Sequence, residues 1–307
     1  MTLSELKYIV ALARERHFGR AAEASFVSQP TLSVAVKKLE DELGVALFER
    51  SKNEVSVTPA GERVVEQAQQ VLEAVEGIRQ TAHRQADQLH GPLRLGAIYT
   101  IGPYLLPQLI PELHESAPHM PLVIEENYTA ELRRRLKQGE LDVIVISLPF
   151  DEPGVVTLPL YEEPFVALLP ASHPLTGRKT VALDELAEDS LLLLGPGHCF
   201  RDQVLESCPE CGRTVGGDPD HPAPLAGSSL ETIRHMVASG MGVTVLPCTA
   251  AGAEHYAQRL LAVRRLRNPA PKRTVALAWR TSFPRPKAIE ALRQAIRACP
   301  MSCVKFL

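Results

Sequence analysis

A long stretch from Glu62 to about Gln88 constrains the fold most, because it contains no proline and only one glycine, Gly77. A helix this long has no core of its own and must bury its apolar side against another surface. We interpret residues 59–90 as a linker and dimerisation helix, with packing on its own domain as the alternative. Apolar residues recur in the stretch at steps of three and four: Val64, Ala68, Val71, Val75, Ile78 and Ala82.

Residues 1–58 predict a winged helix-turn-helix domain. The third predicted helix begins after Ser28, which is a good N-cap, and tolerates Pro30 in its first turn. Gly44 ends it, and residues 45–57 predict a strand-turn-strand wing. The apolar side of the third helix is expected to face the core with Leu32, Val36, Leu39 and Leu43.

The exposed start of this third helix is expected to enter the major groove of DNA. Gln forms hydrogen bonds with adenine, and Ser and Thr form them with bases or phosphates. The basic side chains of the wing are expected to contact phosphates. The eight basic residues of this segment are matched by eight acidic ones, so the prediction depends on the motif, and an ordinary helical domain is the alternative. The candidate DNA-binding residues are Gln29, Pro30, Thr31, Ser33, Lys37, Arg50 and Lys52.

After Gly91-Pro92, strand and helix patterns alternate through residues 91–307, which predicts an α/β fold with an open sheet. Two such sets suggest a two-lobed, periplasmic-binding-protein-like regulatory domain. Lobe I would cover about 91–161 and 269–307, and lobe II about 162–268. Ligands of such sheets bind at the carboxyl ends of the strands.

Local signals in this region identify several helix starts. Thr100 and Thr129 each fall between a strand and a helix, so their hydroxyls are expected either to cap the helix or to bind a ligand, capping being the more common role. Residues Ser228 to Glu231 predict a capping box that opens a helix running to Ser239.

The segment 198–208 carries the most chemical information. Cys199 lies between His198 and Arg201, at the predicted start of a helix, and a histidinium, an arginine or a helix N-terminus favours the thiolate. Cys208 follows nine positions later. In a helix the two thiols would be roughly 13 Å apart along the axis, beyond the about 7 Å Cα limit for a disulfide. Bonding them would therefore require the helix to melt, as a redox switch does.

Three other interpretations of these cysteines remain open. Either thiol is simply a small buried hydrophobe, as most cysteines are. Cys208-Pro-Glu-Cys211 has the CxxC spacing of a zinc site, with His198, Cys199 and His221 nearby, but no second CxxC is present. A thioredoxin-like redox pair lacks the required βαβ context. We therefore predict no metal and no cofactor.

The composition is that of a well-packed globular chain. Its 307 residues suffice for two or three domains, and 45% of them are hydrophobic. A net charge of −3 gives no global signal for nucleic acid or membrane, and no leader or 18-residue apolar run is present, so we expect a cytoplasmic protein. Six cysteines in such a chain are free, metal-bound or redox-active.

Several motifs together resemble the LysR-type transcriptional regulators, and the resemblance covers nearly the whole chain. The motifs Gly102–Pro107, Gly197–Gln203 and Ser229–Arg234 further resemble the peroxide-sensing members of that family. The motifs shared with the whole family are Phe18–Ala22, Ser28–Ser33, Lys38–Gly44, Leu47–Arg50 and Thr58–Gly61.

This resemblance implies that Cys199 reacts with hydrogen peroxide and that Cys208 is the resolving thiol. The implied pocket residues are Thr100, Thr129, His198, Asp202, His221 and Arg273. It further implies a homotetramer built as a dimer of dimers, binding to double-stranded promoter DNA, contact with RNA polymerase, activation of antioxidant genes, and reduction by glutaredoxin or thioredoxin. Cys211 departs from the pattern, since a third nearby thiol could compete as the resolver.

Two other functions remain as alternatives. In the first, the chain is a metabolite-responsive regulator of the same family with structural cysteines. In the second, it is a thiol peroxidase in which Cys199 turns over substrate. An N-terminal DNA reader is of no use to an enzyme, so we expect a regulator without enzymatic activity.

Overall fold

The computed structural model describes residues 1–50, 55–82, 88–209, 227–252 and 259–307. The N-terminal domain contains three helices, α1 (Leu3–Glu15), α2 (Phe18–Ala24) and α3 (Gln29–Leu43), and an antiparallel pair of strands, β1 (Phe48–Arg50) and β2 (Val55–Val57). The predicted winged helix-turn-helix is therefore confirmed. Its core contains Leu6, Ile9, Leu12, Ala21, Leu32, Val36, Leu39 and Leu47.

The ends of α3 follow from its capping residues. The Ser28 hydroxyl accepts a hydrogen bond from the Thr31 N–H, and Gly44 adopts a left-handed conformation at φ 71°. The prediction that Leu43 faces the core is wrong. Its side chain is 38% exposed, because the last turn of α3 extends past the small three-helix core.

The linker helix α4 (Pro59–Ala82) begins at the first residue of the predicted linker, three residues before the proline-free stretch. The Thr58 hydroxyl accepts from the Gly61 N–H and donates to the Ala46 carbonyl, so it both caps α4 and ties it to the wing. On this helix, Val71 is 44% and Ile78 is 69% exposed, and they lie seven residues apart on one side. The predicted end near Gln88 follows residues 83–87, which lie outside the described part of the chain.

The regulatory region begins with the predicted alternation of strands and helices: β3 (Leu93–Ile98), α5 (Gly102–Ser116), β4 (Leu122–Asn127), α6 (Thr129–Lys137) and β5 (Val143–Ser147). β3 lies between β4 and β5 and is parallel to both. β10 (Lys272–Arg280) is antiparallel to β5 and to β6 (Val155–Pro170). Helix α11 (Pro286–Ala298) packs on α5.

The second set of elements packs around the distal half of β6. Strands β8 (Thr244–Pro247) and β9 (Leu261–Leu266) both pair with it, and β7 (Thr180–Val181) pairs with β9. The helices are α7 (Leu183–Ala187), α8 (Cys199–Ser207), α9 (Leu230–Ala238) and α10 (Cys248–Ala251). The final strand β11 (Lys305–Phe306) returns to β6 at Tyr161 and Glu162.

Two separate apolar cores result, and β6 runs through both. Its first half, with Leu160 and Tyr161, contributes to the core around β3, β5, β10 and α11. Its second half, from Phe165 to Leu169, contributes to the core around α8, α9 and β8. This is the two-lobed arrangement expected from the sequence. Within the described residues, no helix is long and apolar enough to cross a membrane.

Two local predictions in the second lobe are wrong. The N-cap of α9 is Ser229 rather than Ser228, and its hydroxyl accepts from the Thr232 N–H. The Glu231 carboxylate instead accepts a hydrogen bond from the Tyr104 hydroxyl on α5, a contact between the lobes that no local pattern signals. Residues 191–194 are an apolar run that predicts a strand, but they form only isolated bridges, with Val243 and Gly227.

Candidate peroxide-reactive site

A small cleft lies where β3 and β4 end and α8 begins, at the carboxyl ends of two parallel strands, as predicted for an α/β sheet. Its cavity volume is about 10 Å³, close to the space that one water-sized molecule occupies. Sites for drug-sized ligands typically have volumes of about 300–1,000 Å³. This cleft therefore suits a molecule of a few atoms. Its lining residues are Ile98, Tyr99, Thr100, Asn127, Tyr128, Thr129, Gly197, His198 and Cys199.

Cys199 is the first residue of α8 and is a half-buried free thiol. Its side chain is one of those that line the cleft. Gly197 makes the sharp approach to the helix possible. Its φ of 94° suits glycine, and a Cβ there would lie 3.3 Å from the Tyr128 ring. The predicted helix start at Cys199 is confirmed.

His198 is buried beside two tyrosines. Its ring centroid lies 4.8 Å from that of Tyr128 and 6.0 Å from that of Tyr99. Burial lowers the pKa of His198, and a hydrogen bond with the Ser228 backbone opposes this only in part. The imidazole is therefore neutral at pH 7. Burial of the ring therefore disfavours the histidinium considered from the sequence.

Arg273 reaches the cleft through Thr100. Its guanidinium donates to the Thr100 hydroxyl and carbonyl oxygens, each at 2.8 Å. It also donates to Glu163 at 2.7 Å, and both charged side chains are fully buried. A threonine hydroxyl that accepts from a guanidinium keeps its own proton to donate elsewhere. Arg273 thus orients the Thr100 hydroxyl, and the capping role for Thr100 is wrong.

Thr129 offers a second hydroxyl to the cleft. It is the first residue of α6, where Tyr128 is the N-cap, and no side chain caps this helix. The Thr129 Oγ1 atom is buried, and within the described residues it has no hydrogen-bond partner. Buried polar atoms are rarely left unsatisfied without a functional reason. Capping is therefore wrong here too, and this hydroxyl is available to a bound molecule.

The other thiol of the segment lies at the opposite end of α8. Cys208 follows the helix as its C-cap and is 4% exposed in the second core. Cys208 is disulfide-bonded and Cys199 is a free thiol, so the two are not bonded to each other. With α8 intact, its nine residues separate the two thiols by roughly 13 Å. This agrees with the geometric conflict predicted from the sequence.

Other predicted residues lie elsewhere. Asp202 is exposed on the first turn of α8 and is not among the described residues that line the cleft. The Arg201 guanidinium donates to the Leu194 carbonyl at 2.9 Å and so anchors the start of the helix. His221, Cys211 and Lys52 lie outside the described residues. Among those that are described, no group of three or more His, Cys, Asp or Glu side chains is arranged to hold a metal.

The candidate DNA interface is at the start of α3. Gln29, Pro30, Thr31 and Lys37 are exposed, and Ser33 is half-buried. The Thr31 hydroxyl lies 2.8 Å from that of Ser28, so part of its hydrogen-bonding capacity serves the cap. The structure gives the backbone of Arg50 at the end of β1.

Sequence reasoning missed three important parts of the site. The aromatic side chains Tyr99 and Tyr128 follow directly on β3 and β4, where polar and aromatic residues at strand ends signal a ligand site. Glu163, the buried partner of Arg273, is a single acidic residue on a strand, and no local pattern distinguishes it from its exposed neighbour Glu162.

Family comparisons agree with this architecture. Residues 3–62 match the bacterial regulatory helix-turn-helix protein, lysR family, and residues 86–299 match the LysR substrate binding domain. The chain therefore belongs to the LysR family of bacterial regulatory proteins.

Within that family, the chain is similar to OxyR proteins. It is 40% identical to the Escherichia coli K12 DNA-binding transcriptional dual regulator OxyR, over 97% of this chain and 95% of that protein. A full-length OxyR variant from Pseudomonas aeruginosa superposes with a TM-score of 0.89 at 59% identity, covering 98% of this chain and 96% of that one. A hydrogen-peroxide-bound OxyR mutant from Corynebacterium glutamicum has a TM-score of 0.62 at 34% identity, with coverages of 96% and 91%.

Proposed function

We propose that this protein is a peroxide-responsive, DNA-binding transcriptional regulator in which Cys199 is the sensing thiol. One observation carries the proposal: a free thiol at a helix N-terminus opens onto a cleft sized for a few atoms, beside a threonine hydroxyl that has no hydrogen-bond partner among the described residues. The names of the similar proteins support it, since one binds hydrogen peroxide in a solved structure. The metabolite alternative is disfavoured because the cleft is too small.

The first step is attack of the Cys199 thiolate on one peroxide oxygen. The O–O bond breaks, the sulfur becomes a sulfenic acid, and the departing hydroxide takes up a proton to become water. In this proposal the hydroxyls of Thr100 and Thr129 hold the two oxygens, and the hydrogen bond from Arg273 orients the hydroxyl of Thr100. A neutral His198 ring can donate a hydrogen bond from one ring nitrogen and accept one at the other.

In the second step, the Cys208 thiolate attacks the sulfenic sulfur and displaces hydroxide, giving a disulfide and a second water. Cys208 must first be present as a free thiol, so the cycle starts from fully reduced protein. Because α8 separates the two sulfurs, its unwinding accompanies this step. A dithiol protein such as glutaredoxin or thioredoxin would return both cysteines to thiols. Cys211 is the alternative resolver, and the same thiol mapping distinguishes it from Cys208.

Unwinding of α8 would release its hold on the first lobe. Gln203 on α8 donates to the Ser147 hydroxyl at 2.8 Å and to the Leu148 carbonyl at 3.3 Å. Ser147 lies on β5 opposite Val275 of β10. A displacement of Ser147 would therefore reach β10 at Val275, close to Arg273. Arg273 in turn orients Thr100 in the cleft.

The same strand also contacts the linker helix. Arg280, at the far end of β10, donates to Glu73 of α4 at 2.7 Å, and both side chains are buried. Lys137 on α6 adds an ion pair with Glu66 of α4 at 3.1 Å. These contacts give a rigid path from the cleft to the helix that carries the DNA-binding domain.

The remaining assignments extend this proposal. We propose a DNA-binding domain at 1–58, a linker at 59–90 and a sensing domain at 91–307, acting in the cytoplasm, where promoter DNA lies. The exposed Val71 and Ile78 on α4 fit a dimer interface. Two such dimers would build a homotetramer that contacts RNA polymerase. Consumption of peroxide would be stoichiometric rather than enzymatic. The DNA contacts would come from Gln29, Pro30, Thr31, Ser33, Lys37, Arg50 and Lys52.

The test is a peroxide titration of fully reduced protein, with DNA footprinting and thiol mapping by mass spectrometry. We expect one equivalent of peroxide to change the footprint and to produce a Cys199–Cys208 link. The Cys199→Ser variant should lose the response, whereas Cys299→Ser should keep it. A footprint that still responds in Cys199→Ser would refute the assignment. Rapid turnover of many equivalents without DNA affinity would support a peroxidase instead.

A further inference from the structure

A second cysteine pair lies far along the chain from α8. Cys248 and Cys303 are joined by a disulfide, with Cα atoms 6.2 Å apart and 55 residues between them in sequence. This Cα separation falls within the usual range for a bridge. Cys248 begins α10 and is half-buried, whereas Cys303 is exposed between α11 and β11.

The bridge connects the two lobes. Cys248 packs against the second core, while the residues on either side of Cys303 pack against the first core. Immediately after Cys303, β11 pairs with β6 where that strand passes between the lobes. The C-terminal segment is thus fastened to the second lobe by one covalent bond, in addition to its hydrogen bonds with β6.

The bridge is also connected to the cleft through buried polar contacts. Thr249, next to Cys248, donates its N–H to Glu163 at 3.0 Å, and its hydroxyl binds the same carboxylate oxygen. The other oxygen of Glu163 holds Arg273, which in turn holds Thr100 in the cleft. Three side chains therefore lie between the bridged cysteine and the wall of the Cys199 cleft.

We infer that Cys248 and Cys303 form a redox-reversible clasp between the lobes that adjusts access to Cys199. Two features favour a reversible bond over a permanent one. Cys303 is exposed, so a dithiol reductant can reach it. Disulfides are generally transient in the reducing compartment where a DNA-binding protein works. In this respect the inference rests on the proposed function.

The chemistry balances with a hydroperoxide as oxidant. One thiolate of the pair attacks a peroxide oxygen, giving a sulfenic acid and water after protonation. The other thiolate then displaces hydroxide from that sulfur to form the bridge. A dithiol reductant reverses the reaction by two exchange steps and becomes a disulfide itself.

The first experiment asks whether the clasp forms and opens. Full-length Cys199→Ser protein is reduced, freed of reductant, treated with hydrogen peroxide, blocked with N-ethylmaleimide and mapped by mass spectrometry. We expect a Cys248–Cys303 peptide that disappears with dithiothreitol. Because Cys199 is absent, this result does not depend on the sensing proposal. A pair that stays reduced under peroxide, or that resists dithiothreitol, overturns the inference.

The second experiment measures coupling to the cleft. Cys199 is alkylated with iodoacetamide, a probe that needs no peroxide reactivity, and its peptide is followed by mass spectrometry. Opening the clasp in Cys303→Ser should raise the Cys199 rate about threefold or more, as expected for contacts along a coupling network. Cys248→Ser should behave alike, and Cys299→Ser, in the same C-terminal region, should match wild type. A change of less than twofold in both clasp variants overturns the coupling.

Discussion

The free thiols Cys199 and Cys299 belong to regions of opposite character. Cys199 starts α8 in a polar cleft, whereas Cys299 follows α11 inside the first core, 3% exposed, with its sulfur donating to the Ala295 carbonyl at 3.3 Å. Burial, with a smaller contribution from Glu112, raises the pKa of Cys299 to about 11. A half-buried position at a cleft and a position inside an apolar core thus give the same residue different accessibility and chemistry.

The largest expected difference is in alkylation at pH 7. A pKa of about 11 lies four units above pH 7, so only about one Cys299 in ten thousand is a thiolate. In reduced, folded protein we expect iodoacetamide to modify Cys199 at least about a thousandfold faster than Cys299. Site-resolved mass spectrometry over time measures both rates. Comparable rates in folded protein would remove the contrast between the two regions.

The raised pKa also gives the stability of the protein a pH dependence. The unfolded thiol ionises near its ordinary value of 9.0, while the folded thiol stays protonated up to about 11. Stability should therefore be fully present below pH 9 and decline as the pH rises from 9 towards 11. Urea unfolding of wild type and Cys299→Ala across this range isolates the effect, which should be absent in the variant.

Removing the guanidinium of Arg273, which donates a hydrogen bond to Thr100, should have the next largest effect. Arg273→Met leaves the Glu163 carboxylate buried without its partner, which should cost about 3–5 kcal/mol of stability and slow the peroxide reaction of Cys199. Lys272→Met is the matched control, because its ion pair with Glu162 lies on the same two strands but is exposed. That control should change little. Equal losses in urea unfolding for both variants would contradict the role of the buried pair.

A smaller, local effect is expected from Thr129→Val. The change keeps the shape of the side chain and removes a hydroxyl that has no partner among the described residues. Stability should be unchanged, while the rate of sulfenic acid formation at Cys199 falls about five- to tenfold, the worth of one hydrogen bond. Stopped-flow kinetics and thermal unfolding provide the two readings. An unchanged rate would mean that Thr129 does not contact peroxide.

The smallest effect concerns His198. Its lowered pKa keeps the imidazole neutral in the folded state while the unfolded residue protonates near 6.5. Its contribution to stability is therefore fully present above pH 6.5 and is lost as the pH falls below that value. We expect urea unfolding of His198→Gln to show a weaker decline between pH 6.5 and 5.5 than wild type. A steeper decline in the variant would contradict a neutral, buried imidazole.

The sequence predicted those features of the Cys199 region that depend on local signals. The start of α8 at Cys199 and the alternation of strands and helices after Gly91-Pro92 were both predicted, because turn residues and apolar runs are local signals. Cys199 was identified from its helix-start position. Local patterns could not separate Thr100 and Thr129 from ordinary capping threonines. That distinction depends on Arg273, 173 residues from Thr100 in sequence, and on the approach of α8 to two strand ends.

The same limit applies to the lobes. Within β6, the sequence pattern predicts a strand only at residues 164–169, where apolar residues are continuous. The first half of β6 is more exposed and lacks such a run. The buried pair of Glu163 and Arg273 and the bridge between Cys248 and Cys303 join residues more than fifty positions apart. Contacts of this kind are set by the packing of whole elements, and a single sequence carries no spacing that signals them.

The central claim is that α8 must unwind before Cys199 and Cys208 can bond. Hydrogen exchange of residues 199–207, measured beside disulfide mapping in reduced and peroxide-treated protein, tests it most directly. We predict that the Cys199–Cys208 link appears together with loss of amide protection throughout α8. A link that forms while α8 keeps its protection, or a loss of protection without any link, would contradict the account.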